Sequence, residues 1–138
     1  MTFAVIFEPE LPDLGLLAPP SKVNWTLAYD AAERQPAHDL RYVICGKVIG
    51  YYPASLATLL GDLRGELAAL RAGSTHNVSM SGYTVLVAEV SEDTVLFRDP
   101  GPDAELVGSA PIAAVRAELE RASARLWACL LASGSRTA

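Results

Sequence analysis

The chain has 138 residues, of which 51% are hydrophobic and 20% are charged, and its formal net charge is −5. This is the usual size of a single domain, and the apolar content suffices for a packed core, which argues against global disorder. No basic stripe is present, so nucleic acid is not expected as a partner. No apolar run reaches the length of a membrane span, and the N-terminal MTFAVIFEPE lacks a basic start, so we expect a cytoplasmic protein without a membrane partner.

The first 30 residues predict two strands separated by a long loop. FAVIFE, residues 3–8, is a short apolar run suited to a strand. Residues 9–22 hold four prolines and form a loop of a length that is often functional or mobile. VNWTLAY, residues 23–29, alternates and predicts a half-buried strand. One face of that strand would carry Val23, Trp25, Leu27 and Tyr29.

The segment CGKVIGYYPASLATLL, residues 45–60, suggests either a phosphate-binding loop, a reactive thiol or a hairpin that leads into a helix. A phosphate-binding P-loop needs Ser or Thr after its GK pair, whereas Val48 follows Lys47 here, and the three glycines of a dinucleotide fingerprint are not present. The alternating LRYVIC before Gly46 and the VIGYY after Lys47 fit two paired strands. We therefore predict a hairpin whose turn is Gly46-Lys47, with glycine in the first central position.

The remainder predicts a helix, three strands, a short edge strand and a second helix. Pro53 fits the first turn of the first helix, and Pro111 fits the first turn of the second. The predicted strands cover about 76–81, 83–90 and 94–99, with ELVG as the edge strand. Leucines at helical spacing mark the first helix. The apolar stripe of the second helix comprises Ile112, Val115, Leu119, Ala122, Leu126 and Leu130.

These elements together predict an α+β fold. Hairpin connections favour a mainly antiparallel sheet of about six to seven strands, with two amphipathic helices packed on one face. We expect residues 1–138 to form a single domain, with a frayed tail at residues 133–138.

No catalytic constellation stands out, and neither a metal site nor a cofactor is predicted. The two histidines are isolated and the two cysteines are 84 positions apart, so the spacings of zinc motifs are not present. An alternative hypothesis is a small-molecule binder or small enzyme with a pocket between sheet and helices. Its polar groups would be Cys45, His76 and Glu89.

Aromatic residues on predicted strands favour a binding surface instead. Tyr and Trp give a large contact area with a polar end, which suits them to interfaces. The competing interpretation is that most of them pack under the helices. The predicted binding residues are Trp25, Tyr29, Tyr42, Tyr51, Tyr52 and Tyr83.

Residues 40–131 resemble small, uncharacterised α+β proteins of actinobacteria, some of which are suspected immunity proteins of toxin systems. The resemblance rests on the strand–turn–strand–helix of residues 40–72, on YTVLVAEVSEDTVLFRD and on the closing helix PIAAVRAELERASARL. It implies a non-enzymatic role in binding another protein. Self-association into a homo-oligomer is a separate hypothesis. The net negative charge favours a basic partner, although ordinary solubility explains that charge equally well.

Overall fold

The computed structural model describes residues 2–14, 22–50 and 53–135. In these parts of the chain the elements are β1 (Phe3–Glu8), α1 (Trp25–Ala32), β2 (His38–Ile44), β3 (Lys47–Ile49), β4 (Pro53–Ala54), α2 (Leu56–Ala69), β5 (Thr75–Met80), β6 (Tyr83–Val90), β7 (Thr94–Arg98), β8 (Leu106–Pro111) and α3 (Ile112–Ser135).

The α+β class and the antiparallel pairing are confirmed, but the strands form two sheets instead of one. The first sheet has the order β1-β2-β3, and β4 pairs with β2. The second has the order β5-β6-β7-β8. Every pairing between neighbouring strands is antiparallel. Among the described residues, each sheet therefore has four strands, and three helices accompany them where two were expected.

The strand predicted at residues 23–29 is wrong, because this segment begins helix α1. Asn24 caps the helix, since its side-chain oxygen accepts a hydrogen bond from the N–H of Leu27 at 3.1 Å. Three alanines follow at helical spacing and are buried: Ala28, Ala31 and Ala32. Residues 23–29 alternate as in a strand. When the segment is extended to residue 32, the alanines show the helical period instead, and the structure follows that period.

The hairpin between β2 and β3 is confirmed, with its turn one residue earlier than expected. Ile44 pairs with Lys47, so the central residues are Cys45 and Gly46. Their φ angles are +48° and +85°, as in a turn with two left-handed residues. Glycine therefore occupies the second central position.

Both prolines that were expected to begin helices lie in strands. Pro53 lies in the short strand β4, opposite Asp39, and Ser55 caps α2 by accepting a hydrogen bond from the N–H of Thr58 at 3.2 Å. Pro111 is the last residue of β8, and α3 begins at the next residue. Pro is tolerated in a short or edge strand, where its missing N–H costs no ladder bond.

The two sheets share one hydrophobic core. The ring of Phe3 on β1 stacks on that of Phe97 on β7, with centroids 5.6 Å apart, and meets the edge of Tyr42 on β2 at 5.3 Å. The leucines of α2 and the apolar stripe of α3 belong to the same buried cluster. The aromatic contact thus links the two sheets beneath the helices.

Helix α3 also covers the free edge of β1. The N–H of Val5 donates to Glu118 at 2.8 Å, and Arg121 donates to the carbonyl of Val5 at 3.2 Å. Glu118 and Arg121 are paired with each other as well. An uncovered edge strand is a template for aggregation, and this ion pair takes up the N–H and the C=O of Val5 on that edge. No helix in the described part of the chain is both long enough and apolar enough to cross a membrane.

Candidate functional site

An open groove of about 470 Å³ runs between α1 and α2. We call it the α1–α2 groove, and its lining is Trp25, Tyr29, Ala57, Thr58, Gly61 and Asp62. It combines an aromatic wall, a floor of small residues and one carboxylate. Such a mixture of apolar surface with few polar groups is typical of binding sites.

The aromatic wall is a direct product of the helical conformation of α1. Trp25 and Tyr29 lie four residues apart, so they share one face of the helix, and their ring centroids are 6.1 Å apart. The buried alanines hold the opposite face against the core. Trp25 is 39% exposed and Tyr29 is 53% exposed, which is high for side chains of this size.

The floor of the groove is low because α2 has a glycine opposite the indole. A Cβ atom built at Gly61 would lie 3.8 Å from the Cη2 atom of Trp25, which is ordinary van der Waals contact. A larger side chain at this position would extend into the space beside the ring. Gly61 therefore keeps the face of α2 open next to Trp25.

Asp62 supplies the negative charge of the groove. Burial raises the pKa of its carboxyl, a hydrogen bond from the N–H of Ser81 to Oδ2 (3.0 Å) lowers it, and the nearby charge of Glu66 raises it again, with a net upward shift. Its other oxygen, Oδ1, has no hydrogen-bond partner among the described residues. An ionised Asp62 would thus be stabilised by an added cation or hydrogen-bond donor.

A second groove, of about 250 Å³, continues from the first along α2 towards β5. This α2–β5 groove shares Gly61 and Asp62 with the first one. Its wall includes Glu66, which is only 6% exposed, and Nε2 of His76 donates to this carboxylate at 2.8 Å. Asp62 and Glu66 lie one helical turn apart on α2, so their carboxylates are neighbours along the two connected grooves.

The tyrosines predicted as binding residues lie in different places. Tyr42 is in the core at 1% exposure, so it cannot contribute to a surface in this fold. Burial, followed by the charges of Glu66 and Asp62, raises its pKa well above the usual value. Tyr83 is exposed at the start of β6 but lines neither groove. Tyr51 and Tyr52 lie outside the described residues, and their role stays a prediction.

The residues of the enzyme hypothesis are not brought together. Cys45 lies in the β2–β3 turn, with Sγ 3.4 Å from the carbonyl of Ser109. His76 is paired with Glu66. Glu89 accepts a hydrogen bond from Arg98 at 3.0 Å on the second sheet. Among the described residues, no group of three or more His, Cys, Asp or Glu side chains is arranged to hold a metal ion.

The groove is not visible in the sequence pattern, because the alternation over residues 23–29 places Trp25 and Tyr29 on a strand. On a strand the two side chains would also share a face. The groove arises because both lie on helix α1, which packs beside α2. Two signals in the sequence point to the correct assignment. Asn24 is a favourable N-cap residue, and the alanines from Ala28 onward have high helix propensity.

No family model matches the chain, and neither does any curated protein or solved structure. Its function is therefore argued from the chemistry of the grooves.

Proposed function

We propose that this chain is a non-enzymatic protein-interaction module that binds a basic segment of a partner protein in the α1–α2 groove. The observation that carries the proposal is the juxtaposition of the exposed pair Trp25 and Tyr29 with the carboxylate of Asp62 across a glycine floor. The expected occupant is an arginine side chain of the partner.

An arginine fits this groove better than a lysine does. Its guanidinium group is planar, stacks on aromatic faces and donates several hydrogen bonds in fixed directions. Stacking on Trp or Tyr contributes about 0.5–2 kcal/mol, depending on how far the cation is desolvated. The free Oδ1 of Asp62 would accept a charge-assisted hydrogen bond from the same group.

The surrounding charge is complementary to such a partner. The described lining of both grooves contains Asp62 and Glu66 but neither Lys nor Arg. The whole chain has a net charge of −5, which would speed the approach of a basic protein. A toxin-neutralising accessory role, to which the sequence resemblance points, is one form of this activity.

The proposal is tested by isothermal titration calorimetry with a short arginine–glycine peptide as the probe. We expect Trp25→Ala and Asp62→Asn each to weaken binding about tenfold, the effect of losing an anchor worth about 1.4 kcal/mol. Neither change removes a fully buried side chain, so both variants should fold.

Two matched controls separate the groove from general electrostatics. Tyr83→Ala removes an aromatic outside the groove that is 57% exposed, against 39% for Trp25, and Asp103→Asn removes one negative charge from an exposed loop. We expect both to bind the peptide as the unaltered protein does. If Asp103→Asn weakens binding as much as Asp62→Asn, the peptide recognises net charge and the proposal fails.

A further inference from the structure

A separate cavity of about 160 Å³ lies where the loop after β1, the start of β2, the start of α2 and the end of α3 meet. We call it the α3-end cavity. Its described lining is Leu11, Pro12, Leu14, Gln35, His38, Leu56, Cys129 and Ala132. None of these residues lines the α1–α2 groove. Most of the lining side chains are apolar, but Gln35 and His38 add polar groups, and the cavity is partly open to solvent.

His38 is held in one tautomer by the backbone. The residue is 7% exposed, and Nδ1 lies 2.6 Å from the carbonyl oxygen of Pro9. A carbonyl can only accept, so Nδ1 carries the hydrogen and donates it. In the neutral ring Nε2 then has a lone pair, and Nε2 has no hydrogen-bond partner among the described residues.

The thiol of Cys129 is part of the apolar wall. Burial raises its pKa, and the charge of Arg125 only partly opposes this shift. Its Sγ makes one weak contact, to the carbonyl of Pro12 at 3.8 Å. A protonated, buried thiol behaves as a small hydrophobic group, so the cavity has no activated nucleophile at this position.

We propose that the α3-end cavity binds a small monocyclic apolar molecule that carries one hydroxyl or N–H donor, with Nε2 of His38 as the acceptor. A volume of about 150 Å³ is large enough to hold a benzene-sized molecule. The buried imidazole adds a fixed acceptor, which a pure hydrocarbon leaves unpaired. This site is independent of the groove in the proposed function.

The hydrogen bond determines the specificity of the site. Phenol and toluene have nearly the same shape, but only phenol can donate to Nε2. A site with a buried acceptor discriminates against the analogue that lacks the donor, because that analogue leaves the acceptor desolvated and unpaired. We expect phenol to bind at least about tenfold more tightly than toluene.

The test is a nuclear magnetic resonance titration of the full chain with phenol and with toluene, in which the imidazole nitrogens are observed. The chain has two histidines, so His76, which is paired with Glu66, serves as the internal control. We expect phenol to shift the Nε2 resonance of His38 and to leave His76 unchanged. Equal affinity for toluene, or no saturable binding of phenol, overturns the proposal.

Two variants make the test independent of any single substitution. His38→Asn keeps an N–H donor near the carbonyl of Pro9 but removes Nε2, so phenol should lose its advantage over toluene. Ala132→Leu reduces the cavity from a half-buried position and should weaken both ligands about equally. Phenol binding that is unchanged in either variant places the ligand elsewhere and contradicts the assignment.

Discussion

Asp62 is a residue whose charge opposes folding. Its pKa is raised because burial and the charge of Glu66 outweigh the hydrogen bond from Ser81. A carboxylate in this situation is destabilising when ionised, and such residues are frequent at functional sites. The position on the groove wall gives a reason for its presence, since a bound cation would relieve the penalty.

Asp62→Asn should therefore raise the free energy of unfolding at pH 7 while it weakens peptide binding. The folded-state pKa lies above the unfolded one, so the penalty exists at neutral pH and disappears as the pH falls through the folded value. The side chain is partly exposed, so we expect a gain well under about 1 kcal/mol. Urea denaturation at pH 7 and at about pH 3 measures it. A loss of stability at pH 7 would contradict this account.

Tyr42→Phe should leave the protein as stable or make it more stable by about 1 kcal/mol. The hydroxyl group of Tyr42 is buried and has no hydrogen-bond partner among the described residues. Removing it therefore removes the free-energy cost of burying an unpaired polar group. The ring contact with Phe3 remains in the variant. Thermal and urea unfolding of both proteins check this. A loss above about 1 kcal/mol would show that the hydroxyl makes a stabilising interaction.

At the scale of elements, α3 both covers the core and shields the edge of β1. Glu118 is the main connection, because it accepts from the N–H of Val5 and pairs with Arg121. Burial acts to raise the pKa of Glu118. The pKa is nevertheless lowered overall, because Arg121 and Val5 donate hydrogen bonds to the carboxylate and the positive charges of Arg121 and Arg125 lie nearby. The ionised form of Glu118 is thus stabilised by the fold.

Glu118→Gln should lower the free energy of unfolding by about 1 kcal/mol at pH 7, because it removes a charge-assisted hydrogen bond. The folded pKa is below the unfolded one, so this stabilisation is present above the ordinary carboxyl range and is lost as the pH falls through the folded value. The difference from the unaltered protein should shrink in acid. Glu120→Gln on the same helix is the control, and an equal effect there would refute the role of Glu118.

The strands of the second sheet could be predicted from the sequence, because alternating β-branched residues and short turns specify them locally. The predicted 83–90 coincides with β6. The start of α1 could not be predicted by the same rule, since Val23 to Tyr29 satisfy a period of two, and the helix is indicated only by the N-cap Asn24 and by the alanines that follow. The division into two sheets also escapes local patterns, because it depends on contacts such as Phe3 with Phe97, 94 positions apart.

The surface location of some candidate-site residues could be predicted from the sequence, whereas their role in binding stays a prediction. Trp25 and Tyr29 were expected to lie on a binding surface and are exposed on a groove. Asp62 and Glu66 were not expected there, because a helix with a leucine stripe predicts only that they lie outside the core. Their proximity to α1 and β5 is a tertiary property that no local pattern encodes.

For the whole molecule, the shared core implies that the two sheets unfold together. Phe3 and Phe97 belong to different sheets and stack directly, and α3 contacts elements of both. A domain with one continuous core normally unfolds in a single transition.

Phe97→Ala should cost about 3–5 kcal/mol, a large part of the stability of a typical domain. It should destabilise both sheets equally. The variants Trp25→Phe and Trp127→Phe leave one tryptophan each, on α3 and on α1, and both reporters should give the same unfolding midpoint in the Phe97→Ala background. Two separate midpoints would show that the part of the core around α1 unfolds separately from the part around α3, which would contradict a single transition.

The most direct measurement of the groove's role is a titration of the two indole N–H resonances with the arginine–glycine peptide. The chain has two tryptophans, and only Trp25 lines the groove. We predict that the Trp25 resonance shifts to saturation and that the Trp127 resonance does not, while a citrulline–glycine peptide shifts neither, because citrulline keeps the shape of arginine without its charge. Equal shifts of both indoles, or equal shifts with citrulline, would contradict the proposal that an arginine binds between Trp25, Tyr29 and Asp62.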